Sequence, residues 1–196
     1  MYAFEPHLQN FGLLTNNVSA NRLSNVAAVQ KAVSNLGGQV PLLLARSSAG
    51  HSLNALPPWT LPDGSEPLQI AVLAVTLDEF FEDQNVQPKL IKIDIEGAEP
   101  RALAGMHGPI SKNPQIAVIL ELNPAYLDAD GADDLLKQLA SLGFQFAIID
   151  EVADQLARAA RSEALDRFLE RRDSWILNLF CSRDETLLTK LLNARN

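Results

Sequence analysis

The stretch LIKIDIEGAE, residues 90–99, constrains this chain more than any other. Leu90, Ile91, Ile93 and Ile95 make a nearly continuous apolar run, the pattern of a strand covered on both faces, as in a parallel α/β sheet. Three carboxylates, Asp94, Glu96 and Glu99, then arrive within six residues. Gly97 breaks the strand, and Glu99-Pro100 opens a helix at a position where the missing proline N–H is harmless. A core strand has no packing reason to carry charge at its end. Open α/β sheets bind ligands outside the carboxyl ends of their strands, so these acids are candidates for a site.

The rest of the chain supplies the partners that such a strand needs. Its 196 residues are enough for one domain with a real core, spanning 1–196 without a convincing internal boundary. Apolar runs predict strands at 2–5, 25–34, 70–77, 116–122, 144–150 and 175–181, with 39–45 as a hairpin return after the Gly37-Gly38 turn. Helical spacing predicts helices at 7–17, 100–106, 128–142, 152–172 and 185–192, and a short helical segment in DEFFED, 78–83. Residues 46–66, rich in proline, glycine and serine, read as a long irregular loop, and such loops are often functional. Alternating strands and helices predict an α/β fold with a largely parallel sheet, one of whose last strands is free to run antiparallel.

Charge and composition narrow the function. A net charge of -8 argues against a nucleic-acid partner and against docking on an anionic membrane. No apolar run approaches the roughly 20 residues that span a bilayer. A single cysteine, Cys181, fits a reducing, cytoplasmic setting, and its place in WILNLFC predicts a buried, inert thiol.

Four places carry candidate chemistry. Glu5 ends a short apolar strand before Pro6, and two readings stand side by side: an acid taking both ribose hydroxyls of a nucleotide, or an acid at a helix N-terminus. Asp94 and Glu96 lie two apart, so in an extended segment they face the same way and can bind a cation, abstract a proton or orient a ligand. Glu99 fits a helix-start acid. Glu121, near the carboxyl end of IAVILEL, lines the same crevice as Asp94 if the strands are parallel. His51 sits in the long loop beside Gly50 and Ser52, a place from which it can approach a substrate, with a solvated ring as the default reading. None of the three histidines has metal-ligand spacing. The arginines of 152–172, with Asp154–Arg158 and Glu163–Arg167 four apart, read as a salt-bridged solvated helix face.

Taken together, these residues resemble the FkbM-type methyltransferases. The matching pieces are YAFEPHLQNFGLLTNN (2–17), NVAAVQKAVSN (25–35), GHSL (50–53), VTLDEF (75–80), LIKIDIEGAEPRALAGM (90–106) and ILELNP (119–124), in the family's order. The resemblance implies a Rossmann-like class I methyltransferase sheet with helices on both faces. It implies S-adenosylmethionine as cofactor and O-methyl transfer to a hydroxyl of a small metabolite or glycan. Glu5 with Pro6 looks like the ribose-binding element, and Ser34 and Asn35 stand where the third strand ends beside the adenine. Asp94 and Glu96 look like the acids below the transferred methyl group, with Asp94 as base and Glu96 or Glu121 orienting the acceptor.

One departure stands out. The family begins with a strand ending in a D-x-G-A-N-x-G type turn, and the ten glycines of this chain lie elsewhere. The expectation is therefore a domain lacking the first strand and the glycine-rich loop, completed by a missing N-terminal segment or by a second copy in a homo-oligomer. The competing expectation is a non-catalytic remnant or interaction module that has lost cofactor binding.

Overall fold

The structure, a computed structural model, describes residues 1–57, 60–61, 65–84, 86–150, 155–170 and 176–194. The chain opens with β1 (Tyr2–Phe4), α1 (Leu8–Ala20), β2 (Ala27–Val29), β3 (Ala32–Val33) and β4 (Gly38–Leu44). A single 3-10 turn at Ser48–Gly50 leads on to β5 (Leu68–Val75), α2 (Leu77–Phe81), β6 (Leu90–Ile93), α3 (Glu99–Ala104) and α4 (His107–Lys112). The remainder is β7 (Ala117–Leu122), α5 (Ala129–Ser141), β8 (Gln145–Asp150), β9 (Gln155–Ala159), α6 (Arg161–Glu170), β10 (Leu177–Ser182) and α7 (Glu185–Asn193). Among the described residues no helix is long and apolar enough to cross a membrane.

Local chemistry explains the helix boundaries. The Thr76 hydroxyl accepts the Glu79 N–H at 3.0 Å, and the Glu79 side chain reaches back to the Thr76 N–H, a capping box that starts α2. Asp128 accepts the Gly131 N–H at 2.7 Å and starts α5. Asp184 accepts the Leu187 N–H at 3.0 Å and starts α7. α5 buries Ala132, Leu135, Leu136 and Leu139, an inward stripe at helical spacing. It is followed by Gly143 at φ +85°, a backbone that favours glycine.

Among the described residues the strands form three separate sheets. The largest has the order β6-β7-β10-β8-β9. Only β6 and β7 run parallel in it; the β7–β10, β10–β8 and β8–β9 pairs are antiparallel. The largely parallel sheet expected from the sequence is thus replaced by a mixed one. β8 and β9 are adjacent in sequence and joined by a short connection, which permits only antiparallel pairing, and β10 inserts between β7 and β8. β1 pairs with β2 in a parallel two-stranded ribbon, and β3-β5-β4 forms a third sheet.

Alternation along the central strands divides the core. Val118, Leu120 and Leu122 of β7, Phe146 and Ile148 of β8, and Leu177, Leu179 and Cys181 of β10 face the main cluster, together with residues of α3, α4, α5 and α6. Ala117, Ala147 and Phe180 face the other side, where Leu188 of α7 covers them. Both faces of this sheet therefore carry helices. Cys181 is fully buried, and burial raises its thiol pKa far out of the reactive range.

Three sequence expectations change here. The run 25–34 is two strands, not one: at Lys31 the backbone turns, its N–H bonding Val29 O at 2.9 Å, so β2 joins β1 while β3 joins β5. β4 returns against β5 rather than against β3. The helix expected at 152–172 contains β9, because pairing with β8 overrides the helical preference of an alanine-rich segment. Residues 152–154 and 171–172 of that expectation, including Asp154, lie outside the described residues, and so does Trp175. Arg158 accordingly sits on a strand and meets Glu185 at 2.6 Å, while Arg167 meets Glu170 at 3.6 Å.

Leu136 is fully buried between α5 and the main sheet, so Leu136→Ala lowers unfolding free energy by about 2–5 kcal/mol in urea titration. Leu73→Ala, on the 52% exposed Leu73 of β5, changes it by under about 1 kcal/mol.

Candidate functional site

A cavity of about 170 Å³ lies where the carboxyl ends of β1 and β6 meet the β3-β5-β4 sheet. Glu5 and Pro6 line it from the end of β1, Asp94 and Glu96 from the end of β6, and His51 from the loop after β4. Segments far apart in sequence thus place three carboxylates and an imidazole on one space. On the far side of the residue 96–97 turn lies a wider open cleft of about 540 Å³, bordered by Asn54, Gly97, Arg101, Tyr126 and Asp128.

The turn after β6 is the most constrained backbone of the site. Glu96 has φ +51° and Gly97 φ +87°, both left-handed. For glutamate this is an unusual conformation that persists only where surrounding contacts hold it. The contacts are present. The buried Glu99 carboxyl accepts the N–H groups of Ile95 at 3.3 Å and Gly97 at 3.1 Å. The Ser52 hydroxyl donates to Glu96 O at 2.6 Å, and Asn54 Nδ2 donates to Gly97 O at 3.2 Å. Asn123 Nδ2 donates to the Glu96 carboxyl at 3.1 Å. A Cβ on Gly97 would lie 2.5 Å from Tyr126 O, so glycine is required there by space as well as by φ.

Electrostatics separates the acids. Burial pushes the Glu96 carboxyl up to about 7, reinforced by the charges of Asp94, Glu121 and Glu99 and opposed by the Asn123 hydrogen bond. Asp94 is more exposed and forms an ion pair with Lys92. Burial also raises the Glu99 pKa, against the two amide hydrogen bonds that favour its charged form. His51 is pushed down by burial and by His7, whose ring packs edge-on at 4.6 Å. Its Nδ1 accepts the Ala45 N–H at 3.2 Å, so the neutral ring carries its proton on Nε2.

Not every candidate reaches the cavity. Glu5 combines a place on the wall with the helix-start reading, since its Oε1 accepts the His7 N–H at 2.7 Å at the start of α1. Glu121 does not line the cavity; it acts on Glu96 through its charge. Ser34 and Asn35 also lie outside it. Ser34 is 2% exposed, its N–H bonds Val75 O at 3.0 Å, and its carbonyl packs on Gly105, where a Cβ would approach to 2.2 Å. The strand continues past the cavity wall at Ala32 and Val33 and carries Ser34 into the protein. The sequence gives no role to Ser52 or Asn54, although Ser52 lies in the family-like GHSL piece and both lie in the long loop, and it reads Glu99 as an ordinary helix-start acid. Among the described residues no group of three or more His, Cys, Asp or Glu side chains is placed to hold a metal ion.

A family profile described as the methyltransferase FkbM domain matches residues 1–146. The chain belongs to the FkbM methyltransferase family. Its fold is similar to the crystal structure of methyltransferase FkbM from Methylobacillus flagellatus KT, with a TM-score of 0.55 at 17% sequence identity. The likeness covers 92% of this chain and 36% of that one, so the chain spans about a third of the length of its FkbM relative. A comparison with curated proteins finds no match.

The raised Glu96 carboxyl of this FkbM domain has a consequence for stability. Between about 4.5, its ordinary value, and about 7, the unfolded chain gives up the proton that the folded chain keeps, so stability falls as pH rises across that window. Glu96→Gln removes the loss, and the variant is more stable than the parent at pH 8 by on the order of 1 kcal/mol, a figure reduced for solvent screening of a half-exposed group. Urea titrations of both proteins at pH 5 and pH 8 measure it. Gly97→Ala destabilises by more than about 1 kcal/mol in the same assay.

Proposed function

We propose that this chain carries the ribose-binding wall and the acceptor side of an S-adenosylmethionine-dependent O-methyltransferase site on a Rossmann-like sheet. The carrying observation is the convergence of Glu5, Asp94 and Glu96 on one cavity, with Glu96 titrating near 7.

The residues suit that cofactor at two of its ends. A carboxylate such as Glu5 accepts from two neighbouring hydroxyls, and the acids at the end of β6 suit a cationic sulfonium. The cavity of about 170 Å³ is small beside the roughly 300 Å³ or more of a small-molecule site, and no glycine lines it, so these residues wall the ribose and methyl ends rather than the whole cofactor. When bound, S-adenosylmethionine supplies an electrophilic methyl carbon.

The chain's residues do the remainder. Glu5 holds the ribose edge. Glu96, poised near 7, takes the proton of the acceptor hydroxyl as the oxygen attacks, a role that calls for a pKa near the working pH. This transfers to Glu96 the base role that the sequence suggested for Asp94, whose carboxylate is engaged by Lys92 and keeps the acceptor side negative. His51 offers a fixed Nε2–H donor on the same wall. The acceptor class is a hydroxyl of a small metabolite or glycan, aligned by the walls for in-line displacement.

Calorimetric titration of the full chain with S-adenosylmethionine tests the cofactor part: Glu5→Ala weakens binding by about tenfold or more. An absence of binding by the parent at millimolar cofactor overturns the reading. With a hydroxylated acceptor, methyl transfer rises with pH through about 7, and Glu96→Gln lowers kcat by about 100-fold or more while cofactor affinity is retained. Asp94→Asn keeps most of the activity. The reverse ranking of these two variants returns the base role to Asp94.

A further inference from the structure

Glu99 is 1% exposed, yet it carries a carboxyl. An acid that only starts a helix sits in solvent near the helix N-terminus. This one points back instead. Its Oε1 takes the amide protons of Ile95 and Gly97, the residues on either side of Glu96, and its Oε2 is buried with no hydrogen-bond partner. A buried oxygen without a partner is costly, so the group is retained for something other than its own solvation. What its bonds close is the left-handed turn at Glu96 and Gly97.

We propose that Glu99 is a positioning residue of the site: by bridging the amides on both sides of Glu96 it holds the left-handed turn that presents the Glu96 carboxyl to the cavity, and its carboxylate beside Glu96 makes the ionised Glu96 a stronger base toward the acceptor hydroxyl. The second half rests on the reading of Glu96 as the proton acceptor. The groups facing Glu96 from the packed elements are Asp94 and Glu99 on its own segment, Glu121 of β7, and Tyr126 before α5. Glu5 after β1 and His51 from the loop share its cavity. Glu99 alone among these both bonds the backbone around Glu96 and carries charge beside it. Ser52 and Asn54 hold the carbonyl side of the same turn, so the two sets of bonds divide the donors and acceptors of the turn between them.

Three variants of the full chain separate shape from charge. Glu99→Gln keeps the acceptor oxygen and removes the charge. Glu99→Asp keeps the charge and withdraws the oxygen. Glu99→Ala removes both. The readouts are amide hydrogen exchange at Ile95 and Gly97 and carboxyl-carbon NMR titration of Glu96, neither of which needs activity. Glu99→Gln retains amide protection, and the Glu96 midpoint falls by about half a pH unit. Glu99→Asp and Glu99→Ala lose about tenfold or more of the protection at both amides. A folded Glu99→Asp that keeps full protection and an unchanged Glu96 midpoint overturns the proposal, as does a Glu99→Gln that loses protection. If Glu99→Ala does not fold, the Gln and Asp pair decides. Failure of the base assignment shows itself separately, as full methyl transfer by Glu96→Gln with the amide results intact.

Discussion

Where a strand ends, its backbone N–H and C=O groups lose their ladder partners and must find others or face water. At the end of β6 those partners are side chains. Glu99 takes two amide protons, and Ser52 and Asn54 give theirs to two carbonyls. The closed circuit allows Glu96 and Gly97 to sit at positive φ. With the turn held, Glu96 is directed toward Asn123 and the cavity, partly withdrawn from water, and its carboxyl titrates near neutrality. The bonds that satisfy the backbone here are also those that fix where the Glu96 carboxyl lies.

The frame behind the turn is built for stiffness. β6 is an edge strand, but its neighbour β7 is sandwiched by pairing with β10 on its other side. Helices α3 to α6 cover one face of this sheet and α7 the other. Fully buried leucines of α5 lie against the face that includes Leu120 and Leu122. The site also borrows from outside this sheet. Glu5 comes from the β1–β2 ribbon, and His51, Ser52 and Asn54 come from the loop after β4, tied back by the Ser52–Leu43 bridge. Three sheets meet at one cavity, so each contributes a wall and none contains the site alone.

The sequence already showed LIKIDIEGAE as a strand running into acids, the helix of Asp128 to Gly143 with its caps, and the apolar alternation of β7; the burial it implied on both faces of that strand holds only for Ile93, since β6 lies at the sheet edge with Leu90 exposed. These are local properties: a period, a capping residue, a breaker. It also paired Glu5 with Asp94 and Glu96, through resemblance rather than spacing. Ser34 and Asn35 lie outside the cavity, and position along a strand says nothing of which residue ends at a cavity and which passes behind it. β9 replaces part of an expected helix because alanine and arginine favour a helix until an adjacent strand offers a hydrogen-bonding edge.

By itself, then, the sequence determined the alternating elements, the acid-rich strand end and membership of a methyltransferase family, because periodicity and short motifs are carried by neighbouring residues. Only the tertiary structure decided that the acids differ. Glu99 is sealed beneath the turn, Asp94 is paired with Lys92 at the surface, and Glu96 stands half-buried between them. That division depends on desolvation and on contacts with Ser52, Asn54, Asn123 and Tyr126, which come from other parts of the chain. No window of sequence around residue 96 contains them.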